Sequence, residues 1–174
     1  MSDRAVEDRQ VVGVADYTVA TGGETLVAYG LGTCVGIGLS DPGAGVAALG
    51  HTMLPRQPAD SAAEPGKFAD ETVRAMLKDA VAAGAGYGSV EAWLVGGAEV
   101  FPLADLDLPA ETGVRTAAVA REQLETLDVP VVAEAVGGDR GRTVEFDTAT
   151  GAVEVRHAGD DHPTTLRKTQ DASR

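Results

Sequence analysis

A single cysteine, Cys34, and a histidine 17 residues further on, His51, are the side chains of this 174-residue sequence best suited to nucleophilic chemistry. A thiol sulfur attacks a carbonyl carbon, and an imidazole within reach takes the thiol proton and returns it to a leaving group. The approach to Cys34 favours that role. Gly30, Gly32 and Thr33 precede it, so backbone N–H groups are free to point toward the sulfur, where they lower a thiol pKa or hold an oxyanion. A plainer reading stands beside this one. A lone cysteine is more often a small buried hydrophobe, and glycines at that spacing also make an ordinary turn. His51 closes an apolar run in Gly50-His51-Thr52-Met53-Leu54-Pro55, a setting more often occupied by a satisfied core histidine. The two become a chemical pair only if they lie on adjacent strands.

The remaining candidates are weaker. His157 and His162 lie in or beside a polar C-terminal stretch and read as surface residues. Histidines so scattered, with one cysteine, call for no metal site and no internal disulfide. Gly96-Gly97 and Gly137-Gly138 each follow a strand-like run and read as turns. No phosphate loop and no dinucleotide fingerprint occurs, and Ser40, Ser61 and Ser89 lack a nucleophile-elbow context. The sequence calls for no cofactor.

The elements that must position Cys34 and His51 are legible in outline. Val11–Val19 has the β-branched content of a strand, with a turn at Thr21-Gly22-Gly23-Glu24. Thr25–Tyr29 reads as a second strand, interrupted by Gly30-Leu31-Gly32-Thr33. Cys34–Leu39 and Gly45–Leu54 are apolar runs separated by Ser40-Asp41-Pro42-Gly43. Phe68, Val73, Met76, Leu77, Ala80 and Val81 recur at helical spacing, and Gly84 and Gly86 stop that helix. A second amphipathic helix is expected over roughly 113–127, strands at Val90–Val95 and Pro130–Val136, and a hairpin joining Arg142–Phe146 to Ala152–Arg156. Many strands with two helices predict an α/β (α+β) sandwich rather than regular βαβ repeats. One domain is expected over residues 11–158, with flexible termini at 1–10 and 159–174.

Composition narrows the function classes. With 27 Asp+Glu against 14 Lys+Arg the formal charge is −13, which argues against nucleic-acid and anionic-membrane surfaces. Hydrophobic residues make up 44% and aromatic ones 4%, so the core must rest on Ala, Val and Leu. No apolar run approaches the roughly 20 residues that span a bilayer, and the opening MSDRAVEDRQ lacks a signal-peptide core. A cytoplasmic protein is expected, with no membrane insertion. Only Lys67, Lys78 and Lys168 are lysines. Arginine over lysine with abundant carboxylates fits a salt-rich cytosol, where excess charge is screened. An acidic protein from a GC-rich genome is the plainer account.

Taken together, Gly30-Leu31-Gly32-Thr33-Cys34-Val35, Asp41-Pro42, His51-Thr52-Met53-Leu54-Pro55, Lys67-Phe68-Ala69-Asp70, Gly96-Gly97-Ala98 with Phe101, and the Gly-Gly-Asp-Arg-Gly-Arg run at 137–142 form an ordered set. That set resembles the chemoreceptor glutamine deamidase family, CheD, over about residues 11–157. The resemblance implies a three-layer sandwich, with mixed, largely antiparallel sheets. It also implies a reaction, in which a thiol attacks the side-chain amide of a receptor glutamine, ammonia leaves, and water releases glutamate. Carried across, Cys34 would be the nucleophile and His51 the base. The expected partners are the cytoplasmic helices of chemoreceptors and the phosphatase CheC, whose action on phosphorylated CheY the family increases.

The sequence departs from the family at one catalytic position. Where the family has a catalytic threonine six residues before the cysteine, this chain has Ala28. Thr25 or Thr33 then supplies the hydroxyl, or a backbone carbonyl orients the base, or deamidase activity is reduced. Backbone amides near Thr33 and Cys34 are the candidate oxyanion donors. A rival function follows from Ala28: a largely non-catalytic regulator that binds CheC. An unrelated thiol peptidase or small-molecule amidase is the third reading, distinguished by turnover of short peptides.

Overall fold

The structure, a computed structural model, describes residues 8–100 and 107–167. Phe101, and residues 1–7 and 168–174 of the expected flexible termini, lie outside the described residues. Ten strands and two helices are described: β1 (Arg9–Val11), β2 (Asp16–Ala20), β3 (Thr25–Leu31), β4 (Val35–Asp41), β5 (Val46–Thr52), α1 (Ala69–Ala82), β6 (Glu91–Gly96), α2 (Thr112–Thr126), β7 (Val131–Val136), β8 (Arg142–Asp147), β9 (Ala152–His157) and β10 (Thr164–Arg167). One sheet runs β1-β3-β8-β9-β10 and the other β2-β5-β4-β6-β7. The β1–β3 and β6–β7 pairings are parallel and the rest antiparallel. The architecture is α+β, with two packed sheets and both helices on one outer face.

Each layer is cemented by the residues whose periodicity points into it. On α1, Ala69, Val73, Met76, Leu77 and Ala80 are buried, a stripe at three- and four-residue spacing. They meet Ile37, Leu39, Val46, Ala48 and Leu94 of the second sheet, together with Ala117, Ala120 and Leu124 of α2. The opposite face of that sheet presents Ala47, Leu49, Trp93 and Val95 to Leu26, Val144, Phe146 and Val153 of the first. Trp93 and Phe146 meet edge to face, with centroids 5.2 Å apart. β4 and β5 are buried along their full length because they are covered on both faces. Gly38 belongs to the inter-sheet face, where a Cβ would fall 1.9 Å from the Trp93 ring. The indole occupies the space that any other side chain would need.

Two local readings are revised by long-range pairing. The run Val11–Val19 is two strands in different sheets, because the chain crosses between the layers over Val12–Ala15. Ala15 adopts φ 62°, and its amide donates to the carbonyl of His51 (2.8 Å). In the polar stretch after residue 159, Thr164–Arg167 forms an edge strand on β9, with Leu166 packed against the inter-sheet core. A four-residue strand with one apolar residue, Leu166, carries too little pattern to register in the sequence.

Candidate active site

The loop carrying Cys34 connects β3 to β4 and is pinned to the end of β6 through its main chain. Ala98 N–H donates to the Gly32 carbonyl (2.8 Å), and Gly97 N–H donates to the Cys34 carbonyl (2.9 Å). Gly96 has φ 117°, and a Cβ there would lie 2.2 Å from the Cys34 carbonyl oxygen. Gly113, in the first turn of α2, also packs on the loop, since a Cβ there would lie 2.9 Å from the Thr33 carbonyl oxygen. The glycine pair read as a turn therefore forms a wall of the cysteine loop. Gly96→Ala is expected to cost about 1–3 kcal/mol from the positive φ alone, and more from the clash. A thermal unfolding midpoint equal to that of the parent would contradict this packing.

Cys34 is half-buried against the inter-sheet cluster. Burial pushes its pKa upward, and the hydrogen bond from its own backbone amide offsets this only in part. The glycine-rich approach was expected to favour a lowered pKa. Desolvation, which disfavours the charged thiolate, outweighs that single hydrogen bond.

His51 is buried on β5, at 2% exposure. In the antiparallel register Val35 faces Thr52 and Gly36 faces His51. Cys34, two residues before Gly36, is thus the diagonal neighbour of His51 on the same sheet face, a relation that sets backbones about 7–8 Å apart with side chains closer. The His51 Nδ1 lies 3.1 Å from the carbonyl oxygen of Val12. A carbonyl only accepts, so Nδ1 carries the proton and Nε2 a lone pair. That Nε2 is buried and has no hydrogen-bond partner among the described residues, Cys34 included. Burial lowers the imidazole pKa and the Val12 bond opposes the shift. At neutral pH the arrangement is a neutral thiol beside a neutral imidazole aimed by the backbone.

The other sequence candidates separate. Thr33 adjoins Cys34, with its carbonyl against Gly113. Thr25 starts β3, pairs with Asp147 and Arg9, and receives no link to the cysteine loop, which follows the other end of that strand. Ala28 is fully buried in the inter-sheet cluster. The sequence reading did not single out Val12, because a main-chain carbonyl leaves no signature in side-chain types. It also took His157 for a surface residue. His157 is half-buried, and its Nε2 accepts from Nε of buried Arg142 (3.2 Å), whose Nη1 donates to the Gly96 carbonyl (3.3 Å). The sequence assigns Arg142 to the end of the 137–142 run and the start of a strand, with no role at the site. Among the described residues no cluster of three or more His, Cys, Asp or Glu is placed to hold a metal ion. No described helix is long and apolar enough to cross a membrane.

Fold and site together define a two-sheet α+β protein with a thiol and an imidazole on one face of a central hairpin. The family model described as CheD chemotactic sensory transduction matches residues 53–157. A protein of Clostridium kluyveri is 38% identical over 149 residues, covering 85% of this chain and 92% of the relative. One of Natronomonas pharaonis is 41% identical over 159 residues, covering 91% and 93%. One of Geobacter metallireducens is 40% identical over 147 residues, covering 83% and 91%. The first two are named probable chemoreceptor glutamine deamidase CheD, and the third carries the same name as CheD 2. The chain belongs to the CheD family. The relatives extend the match across Cys34 and His51, which lie before the residues of the family-model match.

Proposed function

We propose that this protein is a cytoplasmic amidohydrolase that converts chemoreceptor glutamines to glutamates, with Cys34 as nucleophile and His51 as base. The observation that carries the reading is the bare, buried lone pair of His51 Nε2 on the sheet face that also holds Cys34. In the first half-reaction Nε2 takes the thiol proton as sulfur bonds to the carboxamide carbon. The carbonyl π electrons move onto oxygen, and backbone amides near Thr33 and Cys34 would donate hydrogen bonds to that oxyanion. Collapse breaks the C–N bond while the imidazolium protonates the leaving nitrogen, giving ammonia and a thioester. In the second half, water gives a proton to Nε2 and its oxygen to the acyl carbon. The C–S bond then breaks, and the proton returns to sulfur. The Val12 carbonyl holds the ring's tautomer throughout, the task of an orienting third group.

The test is mass spectrometry of a chemoreceptor cytoplasmic fragment incubated with the protein in concentrated salt, the medium expected if the acidic, low-lysine composition is a salt adaptation. An amide-to-acid mass change at defined glutamines supports the enzyme. No change, with folded protein and competent receptor, favours the second reading, a regulator that binds CheC and modulates CheY-phosphate signalling. Ala28 is the feature behind that alternative. If the Val12 carbonyl already orients His51, Ala28→Thr is expected to change the deamidation rate by less than about tenfold, against the orders of magnitude that an absent orienting group costs. It should also lower stability by about 1–3 kcal/mol through overpacking. A gain of several orders of magnitude would show that the carbonyl is no substitute for a hydroxyl.

A further inference from the structure

One peptide group joins a buried arginine to the backbone of Cys34. Arg142 opens β8, opposite Leu31 of β3 on one side and His157 of β9 on the other. It is 7% exposed, and its side chain turns inward, out of its own sheet, to reach the end of β6 in the other. There Nη1 donates to the Gly96 carbonyl (3.3 Å), while Nε donates to His157 Nε2 (3.2 Å). The Gly96 carbonyl also accepts from the Gly137 amide (2.9 Å). The same peptide group carries the Gly97 N–H, which donates to the Cys34 carbonyl (2.9 Å). No described peptide bond is cis, so the carbonyl and N–H of this planar unit point in opposite directions. Arg142 therefore grips one end of the plane and Cys34 the other.

Gly96 and Gly97 have φ 117° and 65°, and glycine brings no side chain to hold the plane between them. Its orientation is set through the hydrogen bonds at its two ends. A cationic donor on the oxygen also polarises the amide, which strengthens its N–H as a donor. The Cys34 carbonyl carbon is bonded to the Cα that bears the thiol side chain. Fixing its oxygen thus fixes the direction in which the sulfur leaves the chain. Stability gives no comparable reason for a guanidinium here, since an apolar side chain of similar volume often replaces a buried charge without loss.

We propose that Arg142 is a positioning residue for the reaction, holding the Cys34 backbone, and with it the thiol, in place by clamping the Gly96–Gly97 peptide. The proposal rests on the deamidase reading and adds a residue that acts through the main chain. The test pairs deamidation kinetics on a chemoreceptor fragment with amide hydrogen exchange of the protein alone. Arg142→Met keeps an apolar side chain of similar length and removes both donors. It is expected to lower kcat about 10²-fold, the cost of a misplacement near 1 Å, with KM within about twofold of the parent. Exchange of the Gly97 amide should quicken about tenfold or more, as for loss of one charge-assisted bond. The Ala15 amide, bonded to the His51 carbonyl, should keep its parental rate. Arg142→Lys returns a charged donor to the Gly96 carbonyl and should recover kcat to within about tenfold of the parent, the ammonium lacking the guanidinium fork. A merely structural arginine would quicken Gly97 and Ala15 alike, and that result would overturn the role. So would an unchanged Gly97 rate, a loss confined to KM, or a lysine variant no better than the methionine one. If Arg142→Met does not fold, His157→Leu decides the question, because His157 is half-buried and supplies the acceptor that aims the guanidinium. A faster Gly97 exchange in that variant supports the clamp, and an unchanged rate overturns it. Failure of the parent protein to deamidate the fragment would count against the enzyme reading alone, because the clamp is read from amide exchange.

Discussion

Cys34→Ala is expected to abolish deamidation of a chemoreceptor fragment while leaving the protein folded. The loop around the cysteine is held by main-chain bonds, Ala98 to Gly32 and Gly97 to Cys34, and neither involves the sulfur. Losing one half-buried sulfur should therefore cost stability on the order of 1 kcal/mol, a small-cavity effect. Activity should fall by about 10⁴-fold or more, because the covalent route is lost and only binding and oxyanion stabilisation remain. The comparison is made by mass spectrometry, with thermal unfolding as the control for folding. Deamidation retained in this variant would remove the thiol from the mechanism.

The second large effect concerns His51 and the pH dependence it sets. His51→Gln keeps a side chain able to donate to the Val12 carbonyl but removes the basic lone pair. The rate should drop by about 10²–10⁴-fold, the usual worth of a general base. In the parent the imidazole must be neutral to act. Burial holds its pKa below the ordinary 6.5, so activity should be level through neutrality and decline only below that value. Alkylation of Cys34 should rise only above the ordinary thiol value of 9.0, since burial raises that pKa. It should do so in parent and His51→Gln alike, because His51 takes the proton during attack and does not pre-ionise the thiol. An alkylation midpoint near neutrality that vanishes in the variant would instead establish a preformed thiolate–imidazolium pair.

Stability should respond to the same two shifts. The unfolded chain protonates this histidine more readily than the folded one, so stability is lost as pH falls below 6.5. The unfolded chain also ionises the thiol more readily, so stability is lost as pH rises above 9.0. His51→Gln should flatten the acid limb of a pH series of unfolding midpoints and leave the alkaline limb in place.

Much of this architecture can be read from residue order. The stripe Val73, Met76, Leu77, Ala80 predicts α1, which is observed at Ala69–Ala82, and the second helix falls at Thr112–Thr126 against an expected 113–127. The apolar runs around Cys34 and His51 predict the adjacent strands β4 and β5, and the hairpin β8–β9 appears with its turn as expected. Periodicity succeeds here because each of these elements buries a face fixed by its own local geometry. The ordered glycine and histidine motifs also carried the family, because spacing along a chain survives without reference to its folding.

Tertiary structure alone decided the rest. Val11–Val19 is rich in β-branched residues on both sides of Gly13-Val14-Ala15, and that short break does not by itself show that the chain leaves one sheet for the other there. Thr164–Arg167 becomes a strand only because β9 offers it an edge. The raised thiol pKa reflects packing between sheets rather than the glycines before Cys34. The orientation of His51 depends on a carbonyl 39 residues away, and Arg142 is buried against the Gly96 carbonyl only because β8 carries it there. Side-chain types record what a residue can do. Desolvation and main-chain hydrogen bonds are set by which distant segments the fold brings against it, and a backbone carbonyl looks the same at every position of the sequence.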